Sequence, residues 1–212
     1  MLHFIYFLLL GAGVILGYKI YALNKKSKRL TLIEQYSFPL SISTKVGEQY
    51  PQLSQSDLRL VIKGLREYFH VCNLAGRKPV SMPSQVIDVA WHEFILFTRQ
   101  YDQFCSKAFG RFLHHTPAEA MKSPTMAQKG IKTAWRFACQ REGLPPKQAS
   151  RLPLLFAIDA KLNIRDGFHY RLNCKHQGKE AYCASHIGCS GCSGGFSACS
   201  SDVSCSGGCS GD

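Results

Sequence analysis

The N-terminus of the chain carries an apolar segment that constrains everything after it. Residues 2–18 read LHFIYFLLLGAGVILGY, and beyond Lys19 the apolar character continues to Leu23. At a rise of about 1.5 Å per residue, a helix of this length just crosses a hydrocarbon core of roughly 30 Å. The segment has no polar face, whereas a helix on the surface of a globular core has one. We therefore expect a transmembrane anchor over residues 2–23.

Basic residues beside this segment predict its orientation. No Lys or Arg precedes it, whereas Lys25, Lys26, Lys28 and Arg29 follow it. A cleaved signal peptide has basic residues before its apolar stretch, so we expect an uncleaved anchor. Because basic flanks stay on the cytoplasmic side, the body and the C-terminus are predicted to face the cytoplasm. The same four side chains suit anionic lipid headgroups, so the lipid bilayer is the expected partner, and a protein partner also fits.

The net charge of +12 indicates an anionic partner of some kind. The basic cluster after the apolar segment accounts for part of this charge. The sequence shows no basic and aromatic platform of the kind that binds nucleic acid, so we do not expect a nucleic-acid partner. It also contains no phosphate-binding glycine loop, no G-x-S-x-G motif and no dinucleotide fingerprint. These absences leave the question of enzymatic activity open.

The middle of the chain is predicted to be an all-α domain. Apolar residues recur there at spacings of three and four, and no stretch alternates as a strand does. Residues 24–50 are expected to form a basic juxtamembrane linker, and residues 51–170 a small helical bundle. Helices are predicted over residues 55–75, 84–109, 124–142 and 152–162. Three cysteines on the apolar faces should be buried as small hydrophobic residues, namely Cys72, Cys105 and Cys139.

Two residues of the second predicted helix are candidates for chemistry. Asp88 and His92 are four apart, so their side chains lie on one face. His114 and His115 follow in the next loop and are able to reach back over that helix. Asp88, His92 and one loop histidine would suit zinc or another borderline divalent ion. The alternative is an Asp–His hydrogen bond that pins the helix to a neighbour, with His114 and His115 capping or exposed.

Two functions follow from these alternatives. The first is a membrane-anchored scaffold or interaction protein of unknown biochemical role. The second is a metal-dependent enzyme, hydrolase-like, that uses Asp88, His92 and His114 or His115. A site open to solvent at His92 would favour the enzyme, and a closed one would favour the scaffold.

Three short motifs in this region resemble a known family. They read D-x-x-W-H, Y-x-x-F-C and G-x-x-x-H-H-x-P, and they are similar to a bacterial family of uncharacterised glycine-rich domain-containing proteins. A fainter similarity extends to plant glycine-rich domain proteins. The resemblance covers about residues 55–165 and implies a domain there without naming a reaction. The matching residues are Asp88, Trp91, His92, Tyr101, Phe104, Cys105, Gly110, His114, His115 and Pro117.

The C-terminal segment, residues 171–212, consists mainly of Ser, Gly and Cys and is predicted to be a disordered tail. Cys183, His186, Cys189 and Cys192 form C-x-x-H and C-x-x-C patterns with the spacing of a zinc site. The other possibilities are disulfides in an oxidising compartment and a flexible tail without a fixed site. A cytoplasmic tail makes disulfides the least expected of the three.

Overall fold

A computed structural model describes residues 2–115, 124–172 and 182–183, and this part of the chain is mainly helical. The predicted all-α class is therefore confirmed. Two short strands, Tyr170–Arg171 and Tyr182–Cys183, pair in parallel, with Tyr170 opposite Tyr182. The elements are α1 (Leu2–Gln35), α2 (Leu40–Gln49), α3 (Gln55–Ala75), α4 (Gln85–Leu96), α5 (Thr98–Phe109), α6 (Pro124–Arg141), α7 (Leu154–Lys161), β1 (Tyr170–Arg171) and β2 (Tyr182–Cys183).

Helix α3 lies at the centre of the body and packs against α1, α2, α4, α6 and α7. It begins with a capping box, in which Asp57 N–H donates to Ser54 Oγ and Ser54 N–H donates to the Asp57 carboxylate. It ends at Gly76, whose φ of +63° favours glycine. A Cβ added to Gly64 would lie 2.6 Å from Ile87 Cδ1, so this glycine allows α4 to pack closely on α3.

The first half of α1 extends away from this body. Val14, Ile15 and Leu16 point about 100° apart around the helix, and each is at least 60% exposed. The sequence predicts a membrane span over residues 2–23; among the residues that the structure describes, no helix is both long enough and apolar enough to cross a membrane.

The linker expected over residues 24–50 is helical instead, and part of it belongs to the core. Helix α1 continues to Gln35, α2 follows, and the side chains of Ile33, Ile42 and Val46 are fully buried. The apolar residues here are too sparse to give a periodic signal. Their helices are held by packing of α1 on α3 and of α2 on α3 and α4, and a local pattern does not contain these contacts.

The single helix expected over residues 84–109 is broken at Phe97, whose φ of −79° and ψ of 56° are not helical. The break folds α5 back on α4, so that the Phe94 and Phe104 rings lie 5.4 Å apart. In one straight helix, ten residues would separate these positions by about 15 Å. Burial of both aromatic rings in one core therefore explains the break.

The tail also begins differently from the prediction. Arg171, its expected first residue, lies in β1 and is paired with Cys183. Of the four predicted zinc ligands in the tail, only the backbone of Cys183 is described. His186, Cys189 and Cys192 lie outside the described residues.

Candidate metal centre

The start of α4 is fixed by a buried carboxylate from α7. The Asp159 carboxylate accepts hydrogen bonds from Ser84 Oγ at 2.7 Å, from Gln85 N–H at 2.7 Å and from Phe168 N–H at 2.8 Å. Its side chain lies at the positive end of the helix dipole, where a negative charge is stabilised. Asp159 is 1% exposed, so solvent does not compete for these bonds. This network sets the position of the helix that carries Asp88 and His92.

A buried tyrosine positions the loop after α5. Trp91 Nε1–H donates to the Tyr101 hydroxyl at 3.1 Å, and this hydroxyl donates to the backbone oxygen of Leu113. Burial raises the pKa of Tyr101, which keeps the hydroxyl protonated as a donor. Leu113 stands two residues before His115. The hydrogen bond therefore holds His115 over the face of α4.

Asp88, His92 and His115 converge at this point. His115 Nε2 lies 2.8 Å from Asp88 Oδ1, and His92 Nδ1 lies 3.4 Å from Asp88 Oδ2. One donor atom from each residue lies within 4.8 Å of the other two. The two imidazole rings meet edge to face, with centroids 4.1 Å apart. The cluster thus combines two imidazoles and one carboxylate from two segments of the chain.

Of the two loop histidines, the structure brings His115 to the cluster and not His114. The exposed His114 ring packs on Phe112, with centroids 4.8 Å apart. The His115 side chain is 11% exposed and rests against the buried Trp91 ring. The His92 side chain is 49% exposed, so the cluster is open to solvent on that side.

The donor set and its spacing suit a borderline divalent ion. A tetrahedral zinc ion with bonds of about 2.0–2.1 Å holds its ligand atoms about 3.3 Å apart. The ligand atoms of the three residues lie within 4.8 Å of one another, so side-chain shifts would bring them to this spacing. The His92 ring also hydrogen-bonds through Nδ1 to the Asp88 backbone oxygen at 3.0 Å. A metal-ligating imidazole donates its other ring N–H in a bond of this kind, so His92 would bind a metal ion through Nε2.

The buried cysteines do not belong to this site. Burial raises the pKa of Cys72 to about 12 and that of Cys139 to about 11, so both are thiols at neutral pH. Cys105 is also buried, and burial raises its pKa as well. The prediction that these three cysteines act as core residues is confirmed.

The match to a protein-family model covers residues 28–189, or 162 of the 212 residues, and includes the whole cluster. The chain belongs to the UCP032817-like family. Comparison with curated proteins and with solved structures gave no match. The UCP032817-like family is uncharacterised, which agrees with the resemblance at that level. The match leaves out residues 2–23 and includes only the last eight residues of α1, 28–35.

Sequence reasoning missed the residues that hold the cluster together. Tyr101 is part of the Y-x-x-F-C motif, so the motif marks the residue but not the loop that it binds. Asp159 carries no local signal, because its partners Ser84 and Gln85 lie more than seventy positions away.

Proposed function

We propose that Asp88, His92 and His115 bind a divalent transition-metal ion, zinc being the best fit. The observation that carries the proposal is the convergence of these three side chains around one point. Buried hydrogen bonds of Tyr101 position the loop of His115, and His92 is open to solvent. Closed structural zinc sites have four protein ligands, whereas catalytic sites have three and a water molecule. The cluster matches the second arrangement.

A metal at this site would support hydrolysis. Zinc lowers the pKa of a bound water to about 7 and polarises a carbonyl or phosphoryl oxygen. The half-exposed His92 leaves room for water and a substrate group on the open side. A metal-dependent hydrolase is therefore our preferred function. A scaffold role would need only the hydrogen bonds of the cluster and no metal.

Zinc titration of the full chain in detergent tests the proposal, with Co²⁺ absorption as a second readout. To remove tail thiols from the measurement, serine replaces Cys174, Cys183, Cys189, Cys192, Cys199, Cys205 and Cys209. We expect one bound ion per chain. His92→Ala and His115→Ala should each weaken binding by about 100-fold or more, since changes in supporting residues alone cost about 10–100-fold. His114→Ala is the matched control and should bind as the parent does.

The scaffold alternative predicts a different result. If the parent binds no stoichiometric metal, Asp88 and His115 form only a structural hydrogen bond. His115→Ala would then reduce the free energy of unfolding by about 1–3 kcal/mol, because a partly buried carboxylate loses its partner. Equal metal affinity in the His114→Ala and His115→Ala variants would also contradict the metal site.

We further propose that α1 holds the protein at a lipid bilayer, with the body and the C-terminus on the cytoplasmic side. The exposed apolar side chains on all faces of residues 10–23 favour insertion into lipid. Lys25, Lys26 and Lys28 follow at the position where headgroups would lie.

Alkaline extraction of membranes from cells that express the full chain tests this attachment. We expect the protein to stay in the membrane pellet, because apolar burial does not depend on pH or salt. Release into the supernatant would contradict it. A reporter active only outside the cytoplasm, fused after Asp212, should be silent, and an active reporter would reverse the proposed orientation.

We also propose two finer features that the sequence suggests. One is kinship with plant glycine-rich domain proteins. The other is a second zinc site formed by Cys183, His186, Cys189 and Cys192.

A further inference from the structure

The contacts of α1 show where its apolar half leaves the body. Glu34 Oε2 lies 2.8 Å from His70 Nε2 of α3, whereas Arg29, earlier in α1, lies against Gly110 at the end of α5. Asn73 Nδ2–H donates to the Ala108 oxygen at 2.7 Å, which places the end of α5 beside the end of α3. Helices α1 and α3 are therefore antiparallel, and the N-terminal part of α1 lies toward the C-terminal end of α3. The apolar half of α1 leaves the body at the C-terminal ends of α3 and α5.

This end of the body is basic. The segments that form it, residues 73–80 and 103–115, contain no Asp or Glu. Four Lys and Arg side chains in these segments are exposed, and within the described part of the chain none of the four lies within ion-pair distance of a carboxylate. We call them the basic end: Arg77, Lys78, Lys107 and Arg111.

The two segments are joined across this surface. The guanidinium of Arg111 donates to the Gly76 oxygen at 2.9 Å, which links the α5 loop to the residue before Arg77. Gly110 has a φ of +70°, and a Cβ there would overlap the Arg29 guanidinium. This glycine lets Arg29 of α1 join the same surface. The basic residues at the ends of α3 and α5, together with Arg29 of α1, therefore form one patch around the point where α1 leaves the body.

We propose that the basic end is a docking surface for anionic phospholipid headgroups. Leu23 is the last residue of the N-terminal apolar segment, and Arg29 follows it by six positions, a rise of about 9 Å along the helix. This is close to the Debye length of about 8 Å at physiological ionic strength, so the patch lies within the field of an anionic surface. The patch would add its charges to those of Lys25, Lys26 and Lys28. The proposal rests on the membrane attachment by α1 proposed above.

Lysine footprinting of the full chain in lipid vesicles tests the proposal. The protein is reconstituted into phosphatidylcholine vesicles with or without phosphatidylserine, and the acetylation rates of single lysines are read by mass spectrometry. Lys161 is the internal reference. It is exposed and lies near Asp57, in the first turn of α3. The basic end lies at the C-terminal end of this helix, which is about 31 Å long. The rate at Lys161 corrects for molecules that the reagent cannot reach.

With phosphatidylserine, the rates at Lys78 and Lys107 relative to Lys161 should fall by about fivefold, the factor for about 1 kcal/mol per basic residue at an anionic surface. High salt or the substitution Arg77→Glu should remove much of this protection. The control Lys161→Glu should preserve it; because this variant lacks the reference lysine, it is scored by the absolute rates at Lys78 and Lys107. Equal relative rates in both lipids, in protein that floats with the vesicles, would overturn the docking surface and leave the attachment intact. Failure to float would overturn the attachment, and with it the docking surface. Protection by nucleic acid but not by phosphatidylserine would assign the patch to another partner.

Discussion

At the scale of single residues, the Tyr101 hydroxyl connects the core of the protein to its candidate metal centre. It accepts from Trp91 on α4 and donates to Leu113 in the loop that carries His115. Trp91 is also the residue before His92 in the chain. One buried hydroxyl thus determines the distance between the two histidines of the cluster.

Replacing Tyr101 with Phe should reduce both stability and metal affinity. The buried Trp91 N–H loses its acceptor, which costs about 1–3 kcal/mol of unfolding free energy. The released loop should weaken zinc binding by about 10–100-fold, as changes in residues that orient ligands do. Urea unfolding and zinc titration of the detergent-solubilised chain measure the two effects.

Tyr68→Phe is the matched control for this prediction. Tyr68 is also buried, and its hydroxyl donates to the Val80 oxygen at 3.4 Å, which does not belong to the loop of His115. It should lose stability and retain zinc affinity. Equal zinc affinity in the Tyr101→Phe and Tyr68→Phe variants would show that Tyr101 does not position the site.

At the scale of elements, α4 depends on a residue outside its own sequence. The Asp159 carboxylate of α7 faces the Ser84 hydroxyl and the backbone N–H groups of Gln85 and Val86. The end of a helix has N–H groups without partners inside the helix, and here a distant carboxylate satisfies them. The element that carries two of the three candidate ligands is therefore held by a side chain of α7, which is distant in the chain.

Asp159→Asn should destabilise the protein by about 1–3 kcal/mol. The amide NH₂ replaces an acceptor with a donor that faces other donors, and the negative charge at the start of α4 is lost. Asp57→Asn at the start of α3 is the comparison, because that capping box is exposed to water and its loss should reduce stability less. Urea unfolding at neutral pH measures both, and an equal loss would contradict the buried role of Asp159.

At the scale of the whole molecule, α1 serves two parts of the protein. Its second half is core, since Ile33 is fully buried and Arg66 of α3 donates to the Ile33 and Tyr36 oxygens at 3.3 and 2.8 Å. Its first half is exposed. His70 joins the two helices through Glu34, and burial lowers the pKa of His70, which favours the neutral ring. Because α1 is shared between the body and the proposed lipid contact, it would hold the basic end at a fixed distance from the bilayer.

The sequence by itself determined the helical class and the placement of Asp88 and His92 on one face of a helix. These features depend on residues within one or two turns of each other, so local chemistry decides them. The sequence also named both histidines of the following loop but could not choose between them.

Only the tertiary structure decided the rest. The choice of His115 depends on the bond from Tyr101 to Leu113, and the break at Phe97 depends on aromatic packing between α4 and α5. Part of the linker expected over residues 24–50 became helix and core because α1 packs on α3 and α2 packs on α3 and α4, with Ile33, Ile42 and Val46 buried. Each of these outcomes comes from burial and hydrogen bonding between segments that are distant in the chain, and a local pattern does not contain those contacts.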